Sequence, residues 1–314
     1  APTSGRFCVA SKSPLTNTVF DSQSGGFWGL ELKRAGFDGI IVRGRGLRPL
    51  YLYVTDGKAF LRDASHLWGL DTAATQEAIR REVNDENVKV CSIGPAGENL
   101  VKYANVISSG GRAGGRPGMG AVMGSKKLKA IAIKPGDKEE VGVHNPGELK
   151  KLASEAYKEI LKKPGYEIWR RQGTMYVVEW GQEFSALPVY NFREAIFEYA
   201  DKLGGFEMEK YKISQRGCPF CNAHCGNVVL DCEGLKAELD YENVALLGVN
   251  LGFNDLRKVA HLSRMADDLG MDTISLGNSI GFYLEAREKK LVDDDTEWGD
   301  YHGVKALIED TAYR

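Results

Sequence analysis

Three cysteines and a histidine lie within the short stretch RGCPFCNAHCGN. Cys218, Cys221 and Cys225 follow the spacing C-x2-C-x3-C, at which a tight loop can direct three sulfurs toward one centre. The spacing is compatible with an iron–sulfur cluster, with a structural zinc ion completed by His224 or Cys232, or with thiols that only pack. Zinc sites usually add a second cysteine or histidine pair, and the sequence has none, so a cluster is favoured.

The other cysteines and the overall composition point to an ordinary globular protein. Cys8 and Cys91 stand in strand-like sequence, where a free cysteine is usually a small core residue. Six cysteines spread over 314 residues suit a reducing compartment better than a disulfide framework, so we expect a cytoplasmic protein. A net charge of -2 argues against nucleic acid or an anionic membrane as a partner. No apolar run approaches the length of roughly 20 residues that spans a bilayer, so we expect no membrane segment.

A glycine-rich stretch, SSGGRAGGRPGMGAVMGSKKLKA, is the second candidate for chemistry. Its glycines surround Arg112 and Arg116. Backbone N–H groups at glycines can approach an anion closely, and guanidinium groups bind phosphate with two parallel hydrogen bonds. The stretch matches neither a Walker loop nor a dinucleotide-binding fingerprint, and a flexible surface loop is the alternative. We therefore predict an anion cradle, with the stretch FDSQSGGFWG as a second wall.

The third candidate is the stretch RMADDLGMDTIS. If Gly270 ends a helix in the left-handed conformation, Asp267 and Asp268 lie in its last turn. The helix dipole disfavours negative charge there, so solvent or a partner rich in hydrogen-bond donors must compensate. Asp268 is interpreted as a solvent-exposed residue, whereas Asp267 and Asp272 flank the glycine turn and could clamp ring N–H groups.

The secondary-structure elements that position these residues are predicted to be of two kinds, β-rich in the first part of the chain and helical in the second. Up to about Pro135, short β-rich runs alternate with glycine, and one helix begins near Asp71. The runs predicted as strands are GIIVRGRG, PLYLYVTDGKAFLRD, VKVCSIGP, LVKYANVIS and KLKAIAIKP. After Asn145, an N-cap followed by Pro146, the apolar period becomes helical.

Later helices are predicted over 240–251, 254–269 and 273–289. We therefore predict an α+β protein with a β-rich domain over 1–140, a mainly helical domain over 141–314 and a boundary near 136–146. The chain begins without Met and its end, LIEDTAYR, resembles an interrupted helix, so we expect a piece of a longer protein.

Taken together, these stretches resemble the tungsten-dependent aldehyde ferredoxin oxidoreductase family over essentially the whole chain. The resemblance is carried by APTSGRFCVASKSPLT, SGGFWGLELKRAGFDGIIVRG, SIGPAGENLVKYANVIS, GRAGGRPGMGAVMGSKKLKAI, CPFCNAHCGNVVLD, ELDYENVALLGVNLG and DDLGMDTIS. The second half is most similar to the formaldehyde-oxidising branch. The resemblance implies a β-rich base on which two pterins hold one tungsten, two mainly helical domains that cover it, and an adjacent 4Fe–4S cluster.

The resemblance also implies roles for particular residues. Contacts to the pterin phosphates and their bridging magnesium would come from Arg6, Gly25, Arg112, Ala113, Gly115 and Arg116. Gln23 stands where the family has asparagine, so a side-chain contact there is in doubt. A pterin-binding motif D-x-x-G-L-D is matched by Asp267, Met271 and Asp272, with methionine replacing leucine.

The same resemblance assigns metal and proton chemistry. Cys218, Cys221 and Cys225 would ligate the cluster, and the family's fourth cysteine and proposed catalytic histidine would lie beyond Arg314. Glu242 matches the family's proposed active-site glutamate, although a first-turn position also suits a dipole-stabilised carboxylate.

The implied activity is oxidation of a small aldehyde, with ferredoxin as electron acceptor, in a homo-oligomer. Reduction of an aromatic acyl thioester by a related tungstopterin subunit and a zinc-stapled binding module without redox chemistry are the alternatives.

Overall fold

The computed structural model describes residues 2–108, 110–134 and 141–314. Strands dominate its first part. They are β1 (Phe7–Lys12), β2 (Val19–Ser24), β3 (Leu50–Thr55), β4 (Lys58–Asp63), β5 (Lys89–Ser92), β6 (Val106–Ser108), β7 (Arg112–Gly114) and β8 (Leu128–Lys134). The helices between them are α1 (Trp28–Arg34), α2 (Thr72–Glu82), α3 (Pro95–Glu98) and α4 (Met119–Ser125).

Six of these strands form a mixed sheet in the order β4-β3-β8-β5-β6-β7, and β1 pairs with β2 in a separate hairpin. Strand β8 alternates its side chains between two cores, as the period of a strand requires. Ala130 and Ala132 pack with Ile79 of α2 on one face, and Ile131 and Ile133 pack with α1 on the other. The sheet is therefore covered on both faces.

Helices dominate the second part. They are α5 (Pro146–Leu161), α6 (Tyr166–Gln172), α7 (Val177–Glu183), α8 (Gly205–Tyr211), α9 (Tyr241–Leu247), α10 (Leu256–Leu269), α11 (Thr273–Glu288) and α12 (Tyr301–Tyr313). A three-stranded antiparallel sheet lies among them, with β10 (Gly226–Leu230) between β9 (Lys212–Arg216) and β11 (Lys236–Leu239). A β-rich part followed by a helical part confirms the predicted α+β class.

Local signals account for the helix ends. The Asn145 side chain accepts a hydrogen bond from the Glu148 N–H at 3.1 Å, so the predicted cap of α5 forms. Gly270 ends α10 with a left-handed conformation, φ 79°, as predicted. The domain boundary predicted near 136–146 stays a prediction, and its first half, 136–140, lies outside the described residues.

Several predicted elements were wrong. The run GIIVRGRG forms no strand, because Ile41 is 83% exposed and no buried face organises it. In LVKYANVIS only 106–108 forms a strand, and Ala104 makes an isolated β-bridge with Met271. The helix predicted over 240–251 stops at Leu247 and continues as a short 3-10 turn. Among the described residues no helix is both long and apolar enough to cross a membrane.

Candidate cofactor site

The cysteine motif forms the loop between β9 and β10. The β1–β2 hairpin packs against it, and the Gly26 N–H donates a hydrogen bond to Cys218 Sγ at 3.4 Å. A Cβ atom at Gly25 would lie only 2.7 Å from the same sulfur. The absence of a side chain at Gly25 therefore lets the hairpin reach the cysteine loop, and two stretches distant in sequence meet at one sulfur.

A cavity of about 660 Å³ opens at this loop. Its lining includes Cys218, Cys221, His224, Arg112 and Arg216. Thiolates with N–H donors and a nearby guanidinium suit an iron–sulfur cluster, whose sulfurs accept such hydrogen bonds. In the described part of the chain, no three His, Cys, Asp or Glu side chains stand close enough to form a metal site by themselves. The donor set fits a cluster, and the ligand roles stay predictions.

Cys225, the third cysteine, is half-buried, as are the other two. Burial raises the pKa of its thiol, and the negative charge of Asp240 adds to this effect, whereas Arg112 opposes it. The positive charge of Arg112 therefore acts on the cysteine loop from the interior of the protein.

Arg112 also extends to the acidic side of the site. Its Nη2 lies 2.6 Å from Glu238 Oε1, and its Nη1 lies 3.9 Å from Asp240 Oδ2. Although Nη2 and Oε1 are close, both atoms are buried and neither makes a well-directed hydrogen bond. Gly226 permits this pair, because a Cβ atom there would overlap both groups.

A second cavity, of about 320 Å³, contains the carboxylate of Asp267. That side chain is half-buried, and its carboxylate accepts no hydrogen bond from another side chain of the described residues. Burial raises its pKa well above the usual range, and the charges of Asp268 and Glu238 act in the same direction. A carboxylate in this state favours a ligand that brings N–H donors, which a pterin ring would supply.

Asp268 is not the solvent-exposed residue predicted from sequence. It is half-buried, lines the same cavity, and lies 3.3 Å from Arg264 through Oδ2. Burial raises its pKa to about 6, which the Arg264 charge partly opposes. The two adjacent carboxylates therefore differ, because Asp268 forms an ion pair with Arg264, whereas Asp267 forms none with the described residues.

Asp272 is engaged elsewhere. It caps α11 by accepting the Ser275 N–H at 2.7 Å, and its Oδ2 lies 3.2 Å from Arg116 Nε. The side chain of Met271 is fully buried in the helical core. Of the two carboxylates in the predicted clamp, that of Asp272 is therefore already bonded within the protein. Only that of Asp267 has no partner among the described side chains.

The glycine-rich stretch is not a flexible loop, because it contains β7, all of α4 and the start of β8. Gly115 takes φ 140° and donates its N–H to Ser22 Oγ at 2.8 Å, which joins the stretch to the β1–β2 hairpin. A Cβ atom at Gly115 would lie 2.9 Å from the Val106 nitrogen, so glycine is required there. The two arginines point to different places, Arg112 to the cysteine loop and Arg116 to the start of α11. Other predicted phosphate contacts, namely Arg6, Gln23 and Ala113, are exposed.

Two family models match this chain. "Aldehyde ferredoxin oxidoreductase, N-terminal domain" matches residues 1–135, and "Aldehyde ferredoxin oxidoreductase, domains 2 & 3" matches residues 151–314. The chain belongs to the aldehyde ferredoxin oxidoreductase family. The resemblance inferred from the motifs is thereby confirmed.

Individual relatives agree with the family. The tungsten-containing aldehyde ferredoxin oxidoreductase of Pyrococcus furiosus is 40% identical over 100% of this chain and 53% of its own length. That of Thermococcus kodakarensis is 39% identical, with the same coverage. The aliphatic sulfonate oxidoreductase, WOR-like subunit, of Pyrococcus furiosus is 33% identical over 96% of this chain and 51% of its own length. The chain spans about half the length of these curated relatives.

A solved structure is similar in fold. The active site complex BamBC of benzoyl coenzyme A reductase, in complex with 1,5-dienoyl-CoA, aligns with a TM-score of 0.85 and 26% identity. The alignment covers 99% of this chain and 50% of that chain.

Glu242, the predicted catalytic residue of this family member, is exposed in the first turn of α9. The helix cap is formed by Asp240 and Asn243, so Glu242 is not needed for capping. Burial raises the pKa of Asp240 to about 7. Sequence reasoning missed Asp240 and Glu238, although the alternation ELD at a strand end, before a helix, was the available signal.

The remaining cysteines lie away from the motif's cavity. Cys91 is buried in β5 as predicted, but Cys8 is exposed and its thiol lies 3.7 Å from Asp21 Oδ2, so the core position predicted for Cys8 was wrong. Cys232 contacts His261 and Tyr301. Of the two residues considered for completing a zinc site, only His224 lines the cysteine cavity.

Proposed function

We propose that this chain is part of an enzyme that oxidises an aldehyde to its carboxylic acid and passes two electrons through a 4Fe–4S cluster to ferredoxin. The observation that supports it most is the position of Arg112, whose side chain borders both the cysteine cavity and the carboxylate group of Glu238 and Asp240. A tungsten bis-pterin, when bound, would supply the two-electron redox chemistry. The protein's own residues bind, orient and handle protons.

In this proposal the cysteine loop holds the cluster. Cys218, Cys221 and Cys225 provide thiolates, and the Gly26 N–H, already directed at Cys218, stabilises sulfur-borne negative charge. Arg112 offsets the same charge from the interior.

Asp267 would bind the pterin edge. A carboxylate can accept two parallel hydrogen bonds from an amino group and a ring N–H, and the cavity around Asp267 is open to such a ligand. Met271 and Asp272 complete the motif by family position. The phosphates and their magnesium would be held by residues of the first part, namely Arg6, Gln23, Gly25, Arg112, Ala113, Gly115 and Arg116.

Glu242 would move the proton. Its exposed carboxylate stands at the N-terminus of α9, two residues after Asp240, and the Glu242 charge helps to raise the pKa of Asp240. We propose Glu242 as the general acid or base toward the substrate.

A second candidate reaction is reduction of an aromatic acyl thioester. It is favoured by the similarity to the benzoyl coenzyme A reductase complex, which was solved with a dienoyl-CoA. The two reactions share the cofactor set and differ in substrate, so turnover of small aldehydes against acyl-CoA substrates separates them. A zinc-stapled module without redox chemistry is disfavoured by family membership.

The proposal is tested by metal analysis of the protein that carries this chain, purified without oxygen. Iron and tungsten are expected, with a cluster signal in electron paramagnetic resonance after reduction. Asp267→Asn should lower tungsten content, because the substitution replaces one acceptor oxygen by a donor facing the pterin donors. Asp268→Asn, the matched control, should leave it unchanged. Stoichiometric zinc without iron would refute the cofactor set, and equal tungsten in both variants would refute the role of Asp267.

A further inference from the structure

A second group of reactive side chains lies where the β10–β11 turn meets α10 and α12, and it comprises Cys232, Glu233, His261 and Tyr301. We call it the thiol cluster. Cys232 is exposed, and its Sγ lies 3.7 Å from His261 Nδ1 and 3.6 Å from Tyr301 Oη. The Tyr301 hydroxyl also hydrogen-bonds His261 Nδ1. On the other side of the ring, His261 Nε2 lies 3.6 Å from Glu233 Oε2.

The turn that carries the thiol is held firmly. Asp231 is fully buried and its Oδ2 accepts a hydrogen bond from Arg264 Nε at 2.8 Å. Arg257 Nη2 donates to the Asp231 carbonyl at 2.6 Å, and the Cys232 N–H donates to the Arg257 carbonyl at 3.2 Å. Cys232 is therefore fixed beside His261 rather than free to rotate away with a mobile loop.

The hydrogen-bond directions define a path for a proton. Tyr301 has one hydroxyl proton, and when it donates this proton to His261 Nδ1 its oxygen accepts from the Cys232 thiol. The other ring nitrogen of His261 then carries the proton that faces Glu233. Burial lowers the pKa of His261, so the imidazole is neutral and can accept a proton. Burial and the neighbouring Cys232 raise the pKa of Tyr301, so its hydroxyl remains protonated.

A nucleophile, a base within reach and a third group that orients the base are the usual parts of an activated thiol. We propose that Cys232 is a reactive surface thiol that exchanges with low-molecular-weight disulfides to form a reversible mixed disulfide. As the thiol proton moves through Tyr301 to His261, the Cys232 sulfur attacks one sulfur of the disulfide. The sulfur–sulfur bond of the reagent breaks, a new one forms to Cys232, and the departing thiolate takes the proton from His261. One thiol and one disulfide are consumed, and one thiol and one disulfide result.

Because Cys232 is exposed at a turn, a small disulfide in solution can reach its thiol without entering a deep pocket. The charged groups that face the cluster come from all three elements packed there: Asp231 and Glu233 from the turn, Lys258 and Arg264 from α10, and Lys305 from α12. The cations favour the thiolate and the acids oppose it, so the relay to His261 decides the reactivity. Arg264 also contacts Asp268 of the candidate cofactor site, but none of the four residues of the thiol cluster lines that site. The inference does not depend on the proposed function.

The test uses oxidised glutathione as the probe and peptide mass spectrometry to follow each cysteine in the folded chain. Cys8 is the internal control, because it is also exposed but its thiol faces Asp21, and burial together with the Asp21 charge raises its pKa. Near pH 7.5 an ordinary thiol is roughly one-tenth ionised, so full activation is expected to make Cys232 react about tenfold faster than Cys8. Equal rates at the two cysteines would overturn the proposal.

Two variants test the relay. His261→Gln and Tyr301→Phe should each slow Cys232 by roughly five- to tenfold and leave the Cys8 rate unchanged, which also reports that the chain is folded. The rate at Cys232 should then rise with pH only as an ordinary thiol ionises, whereas in the parent it levels off at lower pH. An unchanged Cys232 rate and pH profile in His261→Gln would show that the thiol needs no base. If either variant misfolds, the comparison of Cys232 with Cys8 in the parent still decides.

Discussion

Two buried pairs of oppositely charged side chains differ in how completely the protein provides hydrogen-bond partners for their polar atoms. In the six-stranded sheet, Lys129 is fully buried, and its Nζ donates to Glu98 and, at 2.7 Å, to the Leu70 carbonyl. Glu98 also accepts the Gly69 N–H at 2.8 Å. Arg112 and Glu238 are also close, yet a buried atom of each lacks a well-directed hydrogen bond.

The difference favours a structural role for the first pair and supports the proposal that the second lies at a ligand site. Around Lys129 each charge has its partner, and burial raises the pKa of Glu98 and lowers that of Lys129 without leaving excess charge. Around Arg112 and Arg216 three carboxylates gather, those of Glu238, Asp240 and Asp267. Polar groups left without partners in a cavity are candidates for binding a ligand, which agrees with the proposed cofactor site.

The largest effect is expected from breaking the satisfied pair. Lys129→Met leaves Glu98 buried without its cation and removes a donor from the Leu70 carbonyl. We expect a loss of about 3–5 kcal/mol in the free energy of unfolding, measured by denaturant titration.

Two further variants check that result. Lys129→Met combined with Glu98→Gln should recover most of the loss, because no unpaired charge remains. Lys134→Met, which removes a half-exposed partner of Asp85 at 3.2 Å, should leave the free energy of unfolding close to that of the parent. A similar loss in Lys134→Met and Lys129→Met would show that burial of the pair is irrelevant.

A smaller effect, visible as pH dependence, is expected from the unmet carboxylates. The folded-state pKa of Asp240, about 7, lies above its unfolded value near 3.9. The folded chain therefore binds this proton more tightly. The resulting stabilisation is fully present below about pH 4 and is lost as the pH rises through 7.

Asp240→Asn should remove this loss of stability at high pH, and asparagine also caps helices well. The Asp240 side chain is 29% exposed, so we discount its shift for solvent screening and expect roughly 1–3 kcal/mol. The variant should match the parent near pH 4 and exceed its stability at pH 8, as followed by thermal unfolding across that range. Asp268→Asn should act at lower pH, because the pKa of Asp268 is about 6. Parallel pH curves for parent and Asp240→Asn would show that Asp240 is ionised in the folded chain.

The sequence predicted local features well and their mutual placement poorly. The caps at Asn145 and Gly270 depend on neighbouring residues only, and both formed. The β9–β10 hairpin that carries the cysteines was missed, because its strands are short and no residue of β9 is buried. Arg112, predicted for a phosphate, turns to Glu238 because Gly226, far along the chain, leaves space for both. The family motif identified Asp267, but only the fold shows that Arg264 partners Asp268 instead.

The smallest effect on stability, and the sharpest test of the contrast, is expected from Gly226→Ala. The added Cβ would overlap the ends of Arg112 and Glu238, both flexible side chains that can move without displacing the backbone, so we expect a smaller loss of stability than in Lys129→Met. In this variant the Arg112 and Glu238 side chains must move apart. Iron and tungsten content of the anaerobically purified protein should fall although thermal unfolding barely shifts. Gly39→Ala is the matched control, because a Cβ there meets nothing within 4 Å. Full metal content in Gly226→Ala would mean that the cofactors do not need the pair, and that its unmet atoms reflect packing alone.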